Sequence, residues 1–127
     1  MADDESNENT LDRTATATQA GRATVDELVA AFLDAPVVLP SATDPMTSPT
    51  QPVLVTIDGI QHVVIFDSLA TAGQVSHLAR YAASMRGRDA LRGVRPGLGV
   101  LVRTAHSGFD LSPQLLDEIR AKQTSGE

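Results

Sequence analysis

The chain has 127 residues, enough for one modest core, with 42% apolar residues, only 3% aromatic ones and a formal charge of −6. It has no Cys, which excludes disulfides and thiolate metal sites and suits a cytoplasmic setting. No apolar run reaches the ~18 residues of a membrane-spanning helix, and the net acidity argues against nucleic acid as a partner.

Charge is spread unevenly. Residues 1–23 hold five acids and two Arg, lack a sustained apolar period and have no apolar segment of a secretory signal. They read as a disordered acidic tail. The ordered part is expected over 24–123, with 124–127 frayed. Thr24-Val25-Asp26-Glu27 has the pattern of a capping box, and Val25, Leu28, Val29, Phe32 and Leu33 follow one helical stripe. Pro36 closes that helix, and Val37-Val38-Leu39 forms a short strand stopped by Pro40. Ser41 to Pro52, with three Pro, reads as a long floppy loop.

Val53 to Phe66 is the centre of the fold. Asp58-Gly59 between two apolar runs predicts a tight hairpin with Ile57 opposite Ile60, Val55 opposite His62 and Val53 opposite Val64. Alternation puts Val53, Val55, Ile57, Ile60, His62, Val64 and Phe66 on the face that helices should cover. Leu54, Thr56, Gln61, Val63 and Ile65 form the mixed, half-covered face. A helix capped by Asp67 or Ser68 is expected to run to Met85, on a stripe of Leu69, Ala72, Val75, Leu78, Ala79, Ala82 and Met85. Asp89 to Leu91 adds a helical turn. Pro96-Gly97 turns into a strand over 98–103, Thr104 to Asp110 is a loop, and a last helix starts at Ser112-Pro113. The expected architecture is α+β: a two-layer domain with a four-stranded mixed or antiparallel sheet, a central 53–66 hairpin, and about three helices packed mainly on one face.

No constellation carries chemistry. His62, His77 and His106 are scattered without metal-ligand spacing, and His62 reads as a satisfied core or rim histidine. His106, Ser107 and Asp110 contain the residue types of a triad, but neighbours in one loop do not converge as a triad must. No phosphate-cradling glycine loop is present. No catalytic, cofactor-binding or metal residue is therefore assigned, and no cofactor is expected. One charged feature stands out: from Arg80 to Arg103 there are six Arg against one acid. Arg86, Arg88, Arg92 and Arg95 are the candidate contacts for a small anion or an acidic partner. Leu54, Val63 and Ile65 are the candidate apolar interface.

The opening helix VDELVAAFLDAPVVLP, the polar loop, Phe66-Asp67-Ser68, the strand Pro-Gly-Leu-Gly-Val-Leu-Val and the final Leu-Ser-Pro resemble the N-terminal domain of the SseB family, over Thr24 to Lys122. Arg103-Thr104 stands where that family has Asn-Pro. The resemblance implies a small cytoplasmic domain without established catalysis and supplies no site residues. The expected function is a non-catalytic protein-interaction or regulatory domain, with an unknown protein partner or self-association. The alternatives are an anion-binding regulatory domain and a hydrolase using His106 or His62.

Overall fold

The structure, a computed structural model, describes residues 2–75, 77 and 79–125. In chain order the elements are α1 (Ala2–Gln19), α2 (Val25–Asp34), β1 (Pro36–Ser41), β2 (Leu54–Ile57), β3 (Ile60–Phe66), α3 (Leu69–Ala72) with a 3-10 turn at Gly73–Val75, β4 (Tyr81–Arg86), α4 (Gly87–Arg92), β5 (Gly99–Arg103), β6 (Gly108–Leu111) and α5 (Pro113–Ser125). The class is α+β, with a mixed sheet of six strands and five α-helices among the described residues. That is two strands and two helices more than the sequence reading.

The sheet runs β4-β1-β3-β5-β6, and β2 also pairs with β3. The hairpin has the expected register, Ile57 against Ile60 and Val55 against His62. Asp58 and Gly59 take φ of 51° and 82°, the two positive values of a type I′ turn. β3 is paired on both sides. It runs parallel to β5 on one side; on the other, β2 meets its first half and β1 meets Phe66.

Helix α2 begins as its sequence dictates. The Thr24 hydroxyl accepts from Glu27 N–H, and Glu27 Oε1 accepts from Thr24 N–H. Thr24→Ala removes the first of these and leaves the second its backbone donor, so a loss of about 1 kcal/mol is expected in urea unfolding. The loop after β1 is tied at its neck, contrary to the floppy connection its composition suggests. Ser41 Oγ donates to Thr43 O and accepts from Thr43 and Gln51 N–H.

Four expectations are corrected. First, the tail is not disordered: α1 occupies it, and Leu11 and Ala15 are buried in the main core. Second, the long helix over 68–85 does not form. Ser68 caps a single turn that passes through Gly73 into the 3-10 turn, and Tyr81–Arg86 instead pairs with all six residues of β1. A stripe with three Ala among its seven residues buries too little to hold a long helix against that ladder. Leu78 of that stripe lies outside the described residues. Third, Pro40 does not stop β1. Gly87 N–H donates to Ala35 O, so the ladder to β4 is bonded through residues 35, 37, 39 and 41 of this segment. The missing protons of Pro36 and Pro40 are therefore not needed there. Fourth, 104–110 is a short turn followed by β6, not a loop throughout.

The two faces of β3 are also exchanged relative to expectation. Val63 and Ile65 join Val37, Leu39, Val100 and Val102 under α1, α2, α4 and α5, where Phe32 and Leu116 are fully buried. Val64 and Phe66 lie in a smaller cluster with Val38, beneath Ala72 of α3 and Val75 of the 3-10 turn. The neighbouring strands decide this, because their paired valines add to the Val63–Ile65 side. No helix of the described residues is long and apolar enough to cross a membrane.

Candidate functional site

The predicted apolar interface does not exist as a surface. Val63 is 2% exposed and Ile65 0%, both inside the main core, and only Leu54, at 42%, faces solvent. The reason is that both faces of β3 are covered, by α1, α2, α4 and α5 on the Val63–Ile65 side and by α3 and the 3-10 turn on the other. Arg86 ends β4, Arg88 and Arg92 lie in α4, and Arg95 follows it; all four are exposed. Two are already paired, Arg88 with Asp34 of α2 and Arg92 with Asp89 at 3.4 Å. His62 is buried; its Nδ1–H donates to Ile60 O at 2.9 Å. His77 is exposed.

The densest polar cluster involves α1, which the sequence reading had left out of the fold. β3 and β5 run parallel, and their C-terminal ends lie side by side at Phe66 and Arg103. Such strand ends are where open sheets with parallel strands place ligands. Beyond them, residues 104–107 form a tight turn. Thr104 N–H donates to Ser107 O, and Ser107 N–H donates to Thr104 Oγ1. Asp12 of α1 descends onto this turn. Its Oδ1 accepts from the Thr104 hydroxyl at 2.6 Å and from His106 N–H at 2.8 Å; its Oδ2 accepts from His106 Nδ1–H at 2.8 Å. Burial opposes charge on Asp12. The hydrogen bonds from Thr104 and from the side chain and backbone of His106 outweigh it and hold the carboxyl below its ordinary value. Asp67, at the end of β3, accepts Ala105 N–H on Oδ2. Its Oδ1 and the Ser107 hydroxyl are buried without a partner among the described residues.

Helix geometry sets what else reaches this corner. Asp12 and Thr16 lie one turn apart on α1, with Arg13 beside them. The helix ends in a glycine motif: Gly21 takes φ of 78°, Gly21 N–H donates to Thr18 O, and Arg22 N–H reaches back to Ala17 O. That reversal carries Arg22 over the last turn. Asp12, Arg13, Thr16, Arg22 and His106 line one shallow concavity; Arg103 to Gly108 line a second across the His106 ring.

No family model, curated protein or solved structure matches this chain. The site must therefore be read from its own chemistry. His106 pairs with Asp12 across 94 residues, not with the nearby Asp110. Its Nδ1 is committed, so Nε2 is the ring nitrogen left to solvent. The ring's bond is to a carboxylate, while the adjacent Ser107 hydroxyl is buried and has no partner among the described residues, so the parts of a nucleophile–base pair are not joined. Among the described residues no group of three or more His, Cys, Asp or Glu side chains could hold a metal.

A second feature is the sheet edge. β4 is terminal and six residues long. Gly87 bonds Ala35, so by alternation Tyr81, Ala83 and Met85 turn their backbone polar groups to β1, and Ala82, Ser84 and Arg86 turn theirs outward. No strand pairs with that outer side among the described residues. The opposite edge is shorter and is met by α1, where Gln19 Nε2 donates to Gly108 O.

Proposed function

We propose that this chain is a non-catalytic, SseB-like protein-interaction domain of the cytoplasm, and that a partner's extended segment adds to the outer side of β4. The observation that supports this reading is the row of outward backbone groups at Ala82 and Ser84, with the Arg86 N–H, which pair with no strand among the described residues; the Arg86 C=O is taken up by the first turn of α4. Such an edge is a template for strand addition. Charge selects the partner. Arg80 and Arg86 bracket the strand, so an acidic extended segment matches it. Pairing of β4 with a second copy is disfavoured, because antiparallel registers centred on the strand bring arginines of the two copies together.

Ser84→Pro tests this reading. The Ser84 amide faces outward, so proline removes an edge donor and leaves the bonds to β1 in place. Stability should change by no more than about 1 kcal/mol. A true partner protects the amides of Ala82, Ser84 and Arg86 from hydrogen exchange in the wild type, and is lost with Ser84→Pro and with Arg86→Glu. A partner that both variants retain, with no protection at those three amides, overturns the reading.

A further inference from the structure

We infer that the corner between α1 and the 104–107 turn binds the phosphate group of a small phosphorylated molecule through Arg13, Arg22 and His106. This site is separate from the β4 edge and from the arginines that the sequence singled out.

The concavity there measures about 430 Å³ and is lined by Asp12, Arg13, Thr16, Arg22 and His106. Among the described residues, neither Arg13 nor Arg22 is in an ion pair, unlike Arg88 and Arg92. Their guanidinium groups are free to bind a ligand, and each presents a planar fork of donors. The Asp12 side chain is 11% exposed and each of its oxygens already accepts hydrogen bonds. It therefore orients His106 in preference to competing with an incoming anion. The His106 side chain is 82% exposed, and its Nδ1–H is anchored, which leaves Nε2 turned outward. Across the ring, Arg103 lines the adjoining concavity and adds to the positive field.

The available groups are thus two guanidinium forks, a histidine held by a buried carboxylate, and the Thr16 hydroxyl. A phosphate group has three peripheral oxygens to meet donors from three directions, whereas a carboxylate has two. The concavity is open and small, which suits a phosphate on a compact molecule, and its position beyond parallel strand ends matches where such ligands sit.

The test is an NMR titration of the full ¹⁵N-labelled chain with inorganic phosphate at fixed ionic strength, with acetate and chloride as controls. Saturable shifts at the His106 ring and at the Nε–H groups of Arg13 and Arg22 are expected. The double variant Arg13→Ala/Arg22→Ala should weaken binding by about tenfold or more. Arg92→Ala/Arg95→Ala should leave it unchanged. Both arginines of the site are exposed, so the double variant should unfold at the wild-type midpoint. Glycerol 3-phosphate binding at least as tightly as phosphate would support a free phosphorylated ligand. Binding to phosphatidate vesicles with no response to glycerol 3-phosphate would overturn it in favour of a membrane surface. Shifts that do not saturate, that chloride reproduces, or that survive in the double variant would overturn the site itself.

Discussion

Gly87→Ala is expected to cost about 3 kcal/mol or more, a large part of the roughly 5–15 kcal/mol that holds a domain of this size together. An ideal Cβ at Gly87 would overlap Phe32 O and lie 2.8 Å from Phe32 C. Those atoms are backbone of α2, and Phe32 is fully buried, so neither a rotamer change nor a small hinge relieves the overlap. The approach is fixed from the other side too, because Gly87 N–H donates to Ala35 O at 3.0 Å. Separating α4 from α2 would break that bond and open the contact between α4 and the main core. Gly73→Ala is the matched control. A Cβ there meets nothing within 4 Å, so the change should be neutral or slightly stabilising. Equal urea midpoints for the two variants would refute the assignment of β4–α4 as a segment clamped to α2.

Asp12→Ala is expected to destabilise by about 2–4 kcal/mol. Three hydrogen bonds disappear, and the Thr104 hydroxyl loses its acceptor in a buried place. The packing of α1 through Leu11 and Ala15 then loses its polar anchor. The acid limb gives an independent readout. Hydrogen bonds from Thr104 and His106 overcome the opposing effect of burial and set the folded carboxyl below its ordinary 3.8. A depressed value contributes stability that is complete above the unfolded value and is lost as pH falls through the folded one. The stability advantage of wild type over Asp12→Asn should therefore hold down to pH 3.8 and shrink below it. An advantage that does not change on acidification would mean that the carboxylate is not the anchoring species.

Local rules were legible wherever a few adjacent residues decide the outcome. Thr24 with Glu27, Asp58 with Gly59, and Pro113 after Ser112 each solve a backbone problem within one turn of chain, and each stands where the residues implied. What was not legible depends on distant partners. Tyr81–Arg86 is a strand because β1 offers it a ladder, and its own residues carry weak alternation and two adjacent alanines. Helix α1 was hidden by its acids and threonines. The one available signal was Leu11 with Ala15 at helical spacing, both of which prove to be buried. Asp12 stands among the acids of a segment whose composition implies a tail, yet it is the residue that gives His106 its orientation. No spacing rule links positions 94 apart.

The pairing of β3 also bears on how fast the chain reaches its native form. Among the ladders of β3 and β1 described, the Asp58–Gly59 reversal joins neighbours, while the others tie together distant segments such as Val38 with Ser84 and His62 with Gly99. Each of those closures surrenders chain entropy before it is rewarded, so refolding should be governed by topology and run slower than for a helical bundle of equal length. The hairpin would then serve as an early seed, waiting for β1 and β5 to arrive on its flanks.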